Sequence, residues 1–96
     1  MSKSVFSERY RAFLAHMIAA RRAAGLTQAE LATRVGKPQS FVSKVENGER
    51  RLDFVEFVEV ARAIGVDELQ LAAKVVGDAA FQSSERDNEL SVAKVE

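Results

Sequence analysis

The stretch GLTQAELATRVGKPQSFVSKVENG, residues 25–48, decides the fold, because it reads as two short helices parted by a glycine. Thr27 and, three residues on, Glu30 make a capping box, in which hydroxyl and carboxylate satisfy backbone N–H groups that a helix start leaves orphaned. Leu31, Ala32 and Val35 carry one apolar face until Gly36 supplies the turn, so this helix has about eight residues. Pro38 fits the first turn of the next helix, where its missing N–H would be unpaired anyway. That helix runs to about Asn47, and Asn47-Gly48 ends it. Val42 and Val45 share a face with the preceding helix and belong to the core, whereas Gln39, Ser40, Ser43 and Lys44 suit hydrogen bonding to something outside the protein.

Working outward, Phe6, Tyr10, Phe13, Leu14, Met17 and Ile18 recur at spacings of three and four, one buried stripe of a helix from about Ser7, its N-cap, to Ala24, with Gly25 as the stop. Phe54, Phe57, Val58, Ala61 and Ile64 repeat the pattern between an Asp53 cap and a Gly65 stop. A fifth helix starts near Asp67 and carries Leu69, Leu71, Ala72, Val75 and Val76 up to Gly77. The expected fold class is therefore all-α, with a domain over residues 1–77. Residues 78–96 mix Ser, Asn and charge with few apolar anchors and read as a tail or a weak helix, available for dimer or partner contact.

A 96-residue chain suits one compact domain. It has no cysteine and one histidine, His16, so disulfides, thiolate chemistry and a histidine metal cluster are excluded, and neither metal nor cofactor is expected. His16 lies between two core positions and reads as a surface or half-buried side chain. No signal peptide and no apolar run long enough to span a bilayer is visible, which points to the cytoplasm. The formal net charge of zero conceals a polarised chain: residues 1–51 hold ten Lys or Arg against four Asp or Glu, and residues 52–96 hold four against ten. Such asymmetry fits a basic surface facing a polyanion and an acidic half facing elsewhere. An enzyme is not expected, since there is no nucleophile elbow, phosphate-cradling glycine loop or metal-ligand spacing, and Glu56 and Glu59 at i and i+3 are commonplace on a helix face.

Two short helices joined by a tight glycine-containing turn make a helix-turn-helix. Residues 14–71, through GLTQAELATRVG, SFVSKVENG and VARAIGV, resemble the Cro and phage-repressor-like helix-turn-helix family, often called the XRE family. The resemblance implies a five-helix lambda-repressor-like DNA-binding domain with a short C-terminal extension, usually dimeric on a palindromic operator. It also implies that Arg21 pairs with Glu46 as a structural tie, and that Gln28 touches the DNA backbone. The chain departs from the family pattern at Pro38, where a Ser or Thr usually caps the third helix, and at Lys37, where an apolar residue is usual.

In this motif the second helix enters the major groove of double-stranded DNA with its N-terminal residues at base edges. Gln39, Ser40, Ser43 and Lys44 are then the base-reading set, since Gln pairs with adenine, Lys donates to guanine and serines serve either. Phe41 either packs on a thymine methyl or is partly buried. Thr27, Gln28, Lys37, Asn47, Arg50 and Arg51 are the expected backbone contacts, the helix start and the cations favouring phosphate. One motif reads only a few base pairs, so a homodimer is expected, with Leu69, Leu71, Val75 and Val76 as its interface and Val55 as an outlying candidate. The resulting expectation is a regulator, and specifically a repressor, on an inverted-repeat operator. The alternative is an antitoxin or other adaptor that uses the same fold to bind a toxin or regulatory protein through its acidic half.

Overall fold

The computed structural model describes residues 7–79, which form five α-helices and, among the described residues, no strand: α1 (Glu8–Ala23), α2 (Gln28–Val35), α3 (Gln39–Glu46), α4 (Phe54–Ile64) and α5 (Glu68–Val76). Phe6 and all but the first two residues of the expected tail at 78–96 lie outside the described residues.

Each helix but one begins on a side-chain cap. Ser7 Oγ accepts from the Tyr10 N–H at 3.0 Å, and Asp67 Oδ1 accepts from the Leu69 N–H at 2.9 Å. Thr27 and Asp53 both close full capping boxes, with Glu30 and Glu56 respectively returning a bond to the cap N–H. The exception is α3. Pro38 stands one position outside it as the N-cap, extended at ψ 155°, and gives no side-chain bond, which corrects the expectation that the proline lies in the first turn. Gly36 makes the preceding turn in the left-handed region at φ +74°, where any side chain is strained although nothing crowds the site.

The core forms because the apolar stripes of the five helices converge. Met17, Leu31, Ala32, Val42, Val60, Ala61, Ile64 and Leu71 make the larger cluster, and Tyr10, Leu14 and Val45 a second. Phe13, Phe41 and Leu52 pack against both and join them. Thus α3 is held by Val42 in one cluster and Val45 in the other.

α5 packs on α1 and α4. Its Leu71 and Val75, only 3% and 6% exposed, are inside the monomer, which corrects their expected place at a subunit contact. Their spacing of four puts both on the inward face of the helix, and they close a core that α1–α4 leave open on that side. Leu69 and Val76, on the other faces, stay exposed.

A buried ion pair locks this arrangement. Arg21 Nε donates to Glu46 Oε2 at 2.7 Å and Nη2 to Oε1 at 2.9 Å, while Nη1 donates to the Leu26 carbonyl at 2.8 Å. Both side chains are 8% exposed. Removing one member of such a pair strands a buried charge, whereas removing both does not. Glu46→Ala should therefore cost roughly 3–5 kcal/mol in urea unfolding, and Arg21→Met combined with Glu46→Met distinctly less; a double variant at least as unstable as the single one would show that the pair itself, not the stranded charge, sets the cost.

Candidate nucleic-acid interface

α3 divides by face. At about 100° per residue, Gln39, Ser40, Ser43 and Lys44 fall within an arc of roughly 140°, opposite Val42 and Val45. Gln39, Ser40 and Lys44 are exposed and Ser43 is half-buried, so the helix offers polar groups outward while its valines anchor it. Phe41 is half-buried between the two core clusters, and Lys37 Nζ and Arg50 Cζ lie 5.3 and 4.8 Å from its ring centre. Its ring is therefore a platform for two cations.

Around α3 stand the residues expected at the DNA backbone. Thr27, Lys37, Asn47, Arg50 and Arg51 are exposed. Asn47 is the C-cap of α3, and Thr27 Oγ1 accepts the Glu30 N–H at 3.0 Å. Arg51 Cζ lies 4.1 Å from the centre of the Tyr10 ring, whose hydroxyl in turn accepts the Leu52 N–H at 3.2 Å. Consecutive arginines thus rest on two different rings, one on α3 and one on α1.

Two placements are absent from the sequence reading. Gln28, at the start of α2, is half-buried and donates from Nε2 to Glu46 Oε1 at 2.9 Å, so it joins the Arg21–Glu46 cluster. Arg50 is not a lone surface cation: Nη1 and Nη2 reach Glu56 Oε1 and Oε2 at 2.9 and 2.8 Å, and Nη1 also donates to the Arg51 carbonyl. The Asp53–Glu56 capping box was the available signal, since it fixes the Glu56 carboxylate near the chain that leads out of α3. His16, elsewhere, has Nε2 3.0 Å from Asp78 Oδ2, tying α1 to the residue after Gly77.

The helix-turn-helix family profile matches residues 17–71, more than half the chain and all of the motif just described. The chain belongs to the XRE helix-turn-helix family. That family's domain is a DNA-binding one of transcription regulators. A solved XRE-family-like protein from Pseudomonas syringae pv. tomato is 57% identical, superposes with a TM-score of 0.68, and shares 70% of this chain and 82% of its own. The uncharacterized HTH-type transcriptional regulator y4dJ of Sinorhizobium fredii is 39% identical over 51 residues, 53% of this chain and 66% of that protein, so the match spans just under two thirds of the relative's length. The clp gene regulator ClgR of Corynebacterium glutamicum, 21% identical over 75% of this chain and 94% of its own with a TM-score of 0.66, shares the fold. Among the described residues of this XRE domain, no group of three metal-ligating side chains forms and no helix is long and apolar enough to cross a membrane.

The bonds from Arg50, and next the Asp53 N–H, pull the Glu56 carboxyl from 4.5 down to about 2. A group that binds its proton less tightly when folded stabilises fully above its unfolded value and loses that contribution as pH falls through the folded one. The Glu56 contribution should therefore fade between pH 4.5 and about 2. Urea midpoints across that window should fall less steeply for Glu56→Gln than for the wild type; equal slopes would remove Glu56 from the acid response.

Proposed function

We propose that this XRE domain is a sequence-specific transcription regulator that lays α3 in the major groove of duplex DNA. The observation that carries the reading is the division of α3. An eight-residue helix pinned from behind by Val42, Val45 and the Glu46 cluster presents Gln39, Ser40 and Lys44 outward. A helix of ordinary diameter fits the groove, and these side-chain types match base-edge donors and acceptors. Ser43, half-buried, is the least accessible of the set.

Thr27, Gln28, Lys37, Asn47, Arg50 and Arg51 flank this helix as backbone contacts that set register without reading sequence. Gln28 keeps its carbonyl oxygen and one amide hydrogen beyond its bond to Glu46, so the same amide can brace the fold and face a phosphate. Selection of bound oligonucleotides from a random duplex pool tests the reading directly and should return a short inverted repeat. Gln39→Ala, Ser40→Ala and Lys44→Ala should then relax preference at particular positions, each by about 1–3 kcal/mol against the preferred base. Lys37→Ala and Arg51→Ala should instead weaken binding to all sequences alike and each lower the salt slope by about one. A pool with no enriched sequence would refute the groove-reading role.

The inverted repeat corresponds to a homodimer whose two α3 helices sit about 34 Å apart, one turn of B-DNA. The subunit contact then lies away from α3, on the side of α4 and α5. Leu69 and Val76 of α5 and Phe54 and Val55 of α4, 74%, 52%, 75% and 62% exposed, are the large apolar side chains there that stay exposed among the described residues. A dimer seated on its operator represses by occlusion alone. Sedimentation at micromolar concentration should give a wild-type dimer, a folded monomer for Leu69→Glu, and an unfolded chain for Leu71→Glu, whose site is core; a wild type that stays monomeric on and off DNA would sink the twofold arrangement.

A further inference from the structure

The acidic half of the chain reaches the cations beside α3 through Glu56. Glu56, on the first turn of α4, reaches the chain leading out of α3 and grips Arg50 end-on, Nη1 and Nη2 to its two oxygens at 2.9 and 2.8 Å. The carboxylate is the sheltered partner: its side chain is 16% exposed and that of Arg50 is 43% exposed. Meanwhile the guanidinium lies over Phe41, the third residue of α3, so it is fixed against the reading helix from one side and by α4 from another.

A guanidinium has five donors in one plane. Nη1 spends both of its hydrogens, on Glu56 and on the Arg51 carbonyl, and Nη2 spends one on Glu56. The Nε–H and the second Nη2–H have no partner among the described residues. These two point along a single edge of the group, the fork that donates bidentately to a phosphate.

Resting on the reading that α3 docks on DNA, we infer that Glu56 is a positioning residue for Arg50: it holds the open guanidinium edge against α3 for one phosphate of a docked duplex and cancels the arginine's charge in every looser encounter. Two physical effects act in the same direction. An arginine already immobilised loses little rotamer freedom when the phosphate arrives, which favours the docked complex. A neutral pair contributes little to long-range attraction, which disfavours binding anywhere else. Glu56 thereby turns a generic phosphate contact into one that rewards correct docking. Lys37, on the same Phe41 ring, has no carboxylate within ion-pair distance among the described residues, so it keeps the generic role.

Glu56→Gln is the appropriate variant. Glutamine serves a capping box as well as glutamate, so the bond from the Asp53 N–H survives while the charge and the second acceptor oxygen are lost. Dissociation constants of the full chain are measured on its selected operator and on a scrambled duplex across a range of salt. For Glu56→Gln the operator-to-scrambled affinity ratio should fall about fivefold or more, with binding to the scrambled duplex strengthened and its salt slope steeper. Arg50→Lys, which keeps the charge and loses the fork, should lower the ratio similarly. In an Arg50→Ala background, Glu56→Gln should shift the ratio less than about twofold, because a residue acting through Arg50 has nothing left to position. An unchanged ratio in Glu56→Gln, or an equal fall without Arg50, overturns the inference while leaving α3 as the reading helix. A wild type that binds both duplexes equally, or neither, overturns the DNA reading and this inference with it.

Discussion

The bond between the Arg21 guanidinium and the Glu46 carboxylate is the constraint on which the rest depends. Burying two charges is costly unless their hydrogen-bonding capacity is filled, and here Glu46 receives Arg21 twice and Gln28 once, while the third arginine donor goes to the Leu26 carbonyl. One cluster therefore joins the end of α1, the loop after it, the start of α2 and the last turn of α3. α3 needs such support. An isolated helix of eight residues is unstable in water, and its proline N-cap supplies no side-chain bond. Its direction is set by tertiary contacts: the Glu46 cluster at one end, Val42 and Val45 along its back, and Phe41 wedged between the two core clusters.

With the back of α3 committed to the protein, its front is free for chemistry. In the proposed reading role Gln39, Ser40 and Lys44 depend on rigidity: a groove reader must hold donors and acceptors where base edges are, and a fixed helix does so at little entropic cost. The cations around it are likewise arranged, not scattered. Phe41 and Tyr10 each carry an arginine on a face, and Glu56 adds a second restraint on Arg50. The proline that gives α3 no side-chain cap follows Lys37, whose ammonium lies beside the Phe41 ring.

The charge polarity of the chain gains a finer meaning. Residues 1–51 carry the excess of basic side chains and residues 52–96 the excess of acidic ones. In three dimensions the halves are not simply apart, since Glu56 meets Arg50 and Asp78 meets His16. Of these, only the first stands next to α3, where neutralising a cation changes what the surface attracts.

Local features of the fold were legible because their causes are local. The capping box at Thr27, the Asp53 cap, the glycine at 36 and the apolar spacing of each helix lie within a few residues of what they determine, so helix bounds follow from the sequence almost to the residue. The polar outward face of α3 was legible for the same reason, given which side its valines take. Of what spans the chain, the Arg21–Glu46 pair was legible through the family resemblance and the rest was not. Periodicity marks Leu69, Leu71, Val75 and Val76 as apolar without saying which meet the core, and only the packing of α5 on α1 and α4 buries Leu71 and Val75 and leaves the other two outside. Gln28 reads only as a DNA-backbone contact until Glu46, eighteen residues on, is brought to it, and Glu56 as an ordinary helix carboxylate until the loop after α3 folds back. Sequence by itself determined the helices, their stops and the polar face that one of them offers, and the family resemblance supplied the Arg21–Glu46 pair; tertiary structure alone decided that Gln28 joins that pair and that Glu56 meets Arg50, because contacts between distant residues depend on how the core closes.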